Sequence, residues 1–153
     1  MKESTKNEPY AYVFLIAGEG IDIIIGLGHS GYEKDKEIAH KVPHLDLVIG
    51  AHSHSFLYNS KWKLPSSEVP SGQYPTIIKQ PGGRSVPVVQ AYAFTKYLGS
   101  VKLHIDDEGE VTRINGKPIL LDSSIEQSES VQLKVQFSRN LHISPFQIRR
   151  LWP

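Results

Sequence analysis

Two apolar runs that each end in a glycine–histidine turn constrain this chain more than any other feature. Ile21-Asp22-Ile23-Ile24-Ile25-Gly26-Leu27 is β-branched and nearly all apolar, and it stops at Gly28-His29-Ser30-Gly31. Such a run suits a strand covered on both faces. Leu45-Asp46-Leu47-Val48-Ile49-Gly50 repeats the pattern and stops at Ala51-His52-Ser53-His54-Ser55. Between them, Tyr32 to Val42 reads as a helix. Ile38, Ala39 and Val42 fall toward one face, while Glu33, Lys34, Lys36, Glu37 and Lys41 fall outside it. Pro43 closes the helix. Strand, turn, helix, strand, turn is a βαβ unit, for which parallel pairing and a right-handed crossover are expected. Functional groups of open α/β sheets gather beyond the carboxyl ends of strands, where both histidine turns fall.

The chain then changes character. Pro65, Ser66, Ser67, Pro70, Ser71, Gly72 and Pro75 mark residues 59–75 as a surface loop. Thr76 to Lys79 reads as a strand, Gln80-Pro81-Gly82-Gly83-Arg84 as a turn, and Val86 to Phe94 as another strand. Val101, Leu103 and Ile105 alternate with Lys102, His104 and Asp106, the period of a half-exposed strand. Asp107-Glu108-Gly109 turns it into Glu110 to Ile114, and Asn115-Gly116 is a further turn signal. The middle of the chain is thus predicted to be mainly antiparallel β. Upstream, Ala11 to Ala17 is a short strand candidate. From about Glu126 the pattern fades, and Ile143, Phe146, Leu151 and Trp152 sit beside Arg149-Arg150 in no clear register. A marginal C-terminal helix and a tail foreign to the parent fold both remain open there.

Composition narrows the function. The chain has 153 residues, enough for one ordinary domain, with 17 basic against 16 acidic side chains and a net charge of +1. That balance argues against a nucleic-acid binder working through bulk charge. The absence of cysteine excludes disulfides, thiolate zinc sites and cysteine nucleophiles. No apolar run reaches the roughly 20 residues of a membrane-spanning helix. No signal peptide or anchor signal is legible, so the sequence reads as cytosolic or incomplete.

Of the seven histidines, His29, His52 and His54 occupy the two strand-end turns. Neutral imidazole is the commonest metal ligand. His52 and His54 stand two residues apart, so both rings can point the same way in an extended segment. His29 ends the neighbouring strand, and three imidazoles could converge on one rim. His40, His44, His104 and His142 have no such context and read as surface or packing residues. Ser30 is not in a Gly-x-Ser-x-Gly elbow, and no P-loop follows either glycine turn. Glu33, Asp35 and Glu37 read as a solvated helix face.

The run from Gly28 to Asp35, followed by Val48-Ile49-Gly50-Ala51-His52-Ser53-His54-Ser55-Phe56-Leu57-Tyr58, resembles the metallophosphoesterase domain of 5'-nucleotidases and salivary apyrases. The likeness continues through Gly72-Gln73-Tyr74-Pro75, the segment from Val86 to Phe94, Lys96-Tyr97-Leu98-Gly99, and the segment from Pro118 to Ile125. It implies three parts: residues 1–20 unmatched, 21–125 the C-terminal half of such a domain, and 126–153 an unmatched tail. The implied fold is part of an αββα sandwich, a βαβ unit followed by mainly antiparallel strands. The implied site holds two divalent metals, usually zinc in the animal enzymes, about 3.5–4 Å apart around a phosphate. Carried over by motif, His29 and His52 bind one metal, and His54 occupies the position that binds the other. Asparagine is common at that position in animal 5'-nucleotidases, while histidine is usual in the wider superfamily.

The resemblance has gaps. The family's Asp-x-His, Gly-Asp and Asn-His motifs do not occur in these 153 residues, and by the resemblance the family's base-gripping C-terminal domain is expected to be missing as well. No catalytic residue is therefore assigned. Without a bridging carboxylate, three neutral imidazoles are expected to hold at most one metal, weakly and in a pH-dependent way. The implied function is metal-dependent hydrolysis of nucleotide phosphate esters, AMP or also ATP and ADP. The alternative is a catalytically inactive fragment. Expected partners are a nucleotide and either a second copy or a full-length homologue, with no nucleic acid. Family members are typically secreted or anchored at the cell surface.

Overall fold

The computed structural model describes residues 23–107 and 109–140. The βαβ unit forms as its pattern predicts. Strand β1, Ile25–Leu27, lies parallel to β2, Leu47–Ile49, with Ile25 opposite Leu47. Helix α1, Tyr32–Lys41, connects them and ends where Val42 turns extended ahead of Pro43. The residue before a proline disfavours helical geometry, so the helix stops there.

β4, Ser85–Val89, adds to β2 in parallel, and β3, Thr76–Lys79, adds to β4 in antiparallel, giving the order β1-β2-β4-β3. β4 is buried on both faces, with Val86 and Val88 on one and Pro87 and Val89 on the other. Its strand is shorter than the Val86–Phe94 run suggests. Tyr92, Phe94 and Thr95 take positive φ angles that no strand allows. A second sheet pairs β5, Tyr97–Ile105, with β6, Val111–Leu120, in antiparallel.

The second sheet corrects one sequence expectation. Asn115-Gly116 is not a turn but the middle of β6, opposite Lys102 and Val101. The hairpin turns where Asp107-Glu108-Gly109 predicts it: Asp106 Oδ1 accepts the Glu110 N–H at 2.8 Å, and Gly109 takes φ 81°. Gly116 serves close approach rather than a turn. A Cβ there would lie 2.1 Å from the Ser100 carbonyl oxygen.

The main core joins Ile38 and Ala39 of α1 to Leu47, Val48, Val86, Val88 and Val89 of the sheet, with Leu45, Leu57 and Tyr74 from the connections. Val101 and Leu103 of β5 pack against it. Each fully buried aliphatic side chain contributes roughly 1.5–3 kcal/mol. A second, aromatic cluster stacks Phe56 between Tyr58 and Tyr97 at ring separations of 5.6 and 4.8 Å. These residues make the chain a mixed α/β fold with parallel and antiparallel pairing. The described residues up to Leu121 form one compact unit. From Asp122 a second unit contains helix α2, Glu129–Asn140, so the fading pattern after Glu126 does hold a helix. None of the described helices is long and apolar enough to cross a membrane. The strand candidate Ala11–Ala17, together with His142 and the residues after it, lies outside the described residues.

Candidate functional site

Both glycine–histidine turns stand beyond the carboxyl ends of adjacent parallel strands, as the βαβ pattern requires. The first leaves β1, where the Gly28 N–H donates to the Ile49 carbonyl at 3.0 Å. The second leaves β2, where the Gly50 N–H donates to the Val89 carbonyl at 2.9 Å. The three sheet strands β1, β2 and β4 are thereby tied together up to the rim.

His29 and His52 come together there. Their rings are 5.1 Å apart, edge to face, and both residues are exposed. His54 goes elsewhere: its ring lies 5.2 Å from that of Phe94, a side chain 84% exposed. His52 and His54 hold φ angles of 77° and 50°. Left-handed backbone is uncommon outside glycine, and strain of this kind clusters at functional sites. Among the described residues, no group of three or more histidine, aspartate or glutamate side chains is arranged to hold a metal ion. The rim therefore presents two imidazoles, fewer than the four ligands zinc usually takes.

Beneath the rim lies a polar lattice that the sequence reading missed. Asp35 was expected on the solvated face of α1, but its side chain is fully buried. The helix explains why. Asp35 shares its face with Tyr32, Ile38 and Ala39, three or four residues away. Its Oδ1 accepts the Ser30 hydroxyl at 2.8 Å, and its Oδ2 accepts the Gln90 amide at 2.7 Å. The same amide nitrogen donates to the Ala51 carbonyl at 3.1 Å, and the Gln90 oxygen accepts the Ser55 N–H at 3.2 Å. Ser53 Oγ donates to that oxygen at 3.3 Å and accepts the Tyr32 N–H at 2.9 Å. α1 has no cap from its own N-cap residue, Gly31, so a side chain of the second turn satisfies one of its orphan donors. Asp35 could have been found from its spacing to Ile38 and Ala39. Gln90 could have been found as the polar residue closing a buried strand. Glu33 and Glu37 are outside, as expected, paired to Lys36 at 2.8 Å and to Lys41 at 2.7 Å.

The opposite end of the sheet holds a groove of about 680 Å³ lined by His40, His44, Arg84 and Glu110, among others. Both of its cations are already engaged, Lys41 by Glu37 and Arg84 by two carboxylates. Arg84 reaches Asp46 at 2.6 Å and Glu110 at 2.9 Å. Burial pushes the Asp46 carboxyl up, against the opposing pull of the Ile24 N–H and Arg84. His40 and His44 are exposed, as expected, and His40 Nδ1 donates to the Lys79 carbonyl at 2.8 Å.

Fold and rim together define a mixed α/β segment that presents histidine turns at the ends of adjacent parallel strands. No protein-family model matches the chain. Over 115 residues, 75% of this chain, it is 51% identical to the 5'-nucleotidase of Bos taurus and 53% identical to that of Diplobatis ommata. The chain spans only about a fifth of the length of those relatives, 20% and 19%. The crystal structure of the 5'-nucleotidase precursor from Thermus thermophilus matches 80% of this chain at a TM-score of 0.70 and 27% identity, using 24% of its own length. The sequence is thus a partial relative of the 5'-nucleotidases, the counterpart of one segment of them.

Proposed function

We propose that residues 21–125 supply the His29–His52 edge of a 5'-nucleotidase-type site for metal-dependent hydrolysis of nucleotide phosphate esters. The observation that carries this reading is the pairing of the two imidazoles at adjacent strand ends, within a segment about half identical to 5'-nucleotidases. In it, His29 and His52 each offer a neutral ring nitrogen to one divalent cation, with zinc as the expected metal. A cation bound there would neutralise charge on a phosphate oxygen. His54, turned toward Phe94, is available to a second cation. With two imidazoles converging, the 153-residue chain by itself binds one cation weakly and does not turn over nucleotide. AMP, ATP and ADP are the candidate substrates of the complete site.

Calorimetric titration of the chain with zinc and with manganese tests the first half, using His29→Ala and His52→Ala as controls. One weak site, lost in either variant, is expected. Binding that both variants leave intact would remove the metal reading. Phosphate release from AMP and ATP tests the second half, with none expected at any metal concentration. Metal-dependent release that vanishes in His52→Ala would show that the chain completes a working site through self-assembly.

A further inference from the structure

The buried carboxyl of Asp35 has no role in the metal-ligand reading, yet both histidine turns hang from it. One oxygen takes the hydroxyl of Ser30, the residue after His29. The other takes the Gln90 amide, which also holds the carbonyl of Ala51, the residue before His52. Gln90 then fixes the far side of the second turn through the Ser55 N–H and the Ser53 hydroxyl. No buried side-chain donor or acceptor among the described residues is left without a partner. The backbone makes room for this arrangement. A Cβ on Gly50 would lie 1.9 Å from Asp35 Oδ2, and one on Gly31 would touch the His52 ring at 3.7 Å.

We propose that Asp35 is the positioning residue of the rim: through Ser30 and Gln90 it locks the two turns in one relative arrangement, so that His29 and His52 face a common divalent cation. This rests on the cation reading above. Fully satisfied buried networks rigidify what they join. Partners that orient metal-binding histidines typically change metal affinity by about 10–100-fold when removed. An asparagine can keep most of the lattice. Its oxygen can accept from Gln90 while its nitrogen donates to Ser30, whose hydroxyl is free to rotate. An alanine cannot.

The test compares wild type with Asp35→Ala, Asp35→Asn and Ser30→Ala in two measurements. One is zinc affinity by calorimetry. The other is the imidazole ¹⁵N–¹H spectrum without metal. The expected result is that Asp35→Ala shifts the ring signals of both His29 and His52, leaves His104 in place, and weakens zinc at least about tenfold. Asp35→Asn should restore both measurements to within about threefold, and Ser30→Ala should move His29 more than His52. The proposal is overturned if Asp35→Ala leaves both rings and the zinc affinity unchanged. It is also overturned if folded Asp35→Asn is as impaired as alanine. Should Asp35→Ala fail to fold, Ser30→Ala decides, and unmoved His29 signals overturn the proposal. If wild type takes up no zinc, the cation reading falls, and the ring signals alone decide whether Asp35 positions the turns.

Discussion

Gly50 shows how tightly single residues are constrained around the rim. It closes β2, donates its N–H to Val89, and lies against the Asp35 carboxyl with no space for a methyl group. Gly50→Ala would have to push Asp35 off Gln90 or bend the second turn. Overpacking of this kind usually costs about 1–3 kcal/mol. Urea unfolding of the variant should show a loss in that range, together with altered His52 ring signals. A stability equal to wild type would mean that the lattice yields more easily than its geometry implies. The two histidines at the rim were legible from sequence because a βαβ unit fixes where its strand ends fall. Asp35 and Gln90 were not. Charge and amide character argue for solvent, and only a buried partner on another element reverses that preference. Gln90 is 55 positions away from Asp35 along the chain.

Elements were legible to the degree that they carry their own period. Thr76–Lys79 forms the strand expected of it, and α1 ends one residue before the expected boundary. β6 departs from the sequence expectation because Asn-Gly is a local turn signal, whereas register is set by the whole ladder. Nine of the ten residues of β6 pair along β5, with one irregularity between His104 and Ile105 that passes over Thr112, and this ladder overrides the local preference. Two glycines separate the effects. At Gly116 a side chain meets backbone at 2.1 Å, so Gly116→Ala must shift β5 away. A loss of roughly 1–3 kcal/mol is expected, with faster amide exchange along Val101–His104. At Gly82, in the turn before β4, nothing lies within 4 Å of an added Cβ, so Gly82→Ala should stay within about 0.5 kcal/mol of wild type. Equal losses at the two positions would show that the ladder does not set the constraint.

At the scale of the molecule, the near balance of charge gives way in acid, and four carboxyl groups set how stability responds, one of them Asp122, held below its ordinary 3.8 by the Ser124 hydroxyl and N–H. Lys34 and Lys41 hold the Glu37 carboxyl well below its ordinary 4.5, at about 2. Lys96 and Ser66 do the same for Glu68, also at about 2, and so tie the 59–75 loop to the start of β5. A carboxyl group with a depressed pKa in the folded state releases its proton more readily there than in the unfolded chain. Its stabilisation is therefore full above 4.5 and is lost as pH falls toward about 2. Asp46 works the other way. Burial raises its pKa above 3.8, so its contribution is full in acid and is lost as pH rises through the raised value. With Glu37, Glu68 and Asp122 against Asp46, the thermal midpoint should fall between pH 4.5 and about 2, and Asp46 should blunt part of that fall. Glu68→Gln keeps a hydrogen-bonding oxygen but loses the charge. It should lower the midpoint at about pH 6, and the gap to wild type should close as pH approaches about 2. A gap that stays constant across the window would mean that the Glu68–Lys96 pair adds nothing through its charge. Because both side chains are still partly exposed, so that salt screens their charge, adding salt at about pH 6 should narrow the gap as well.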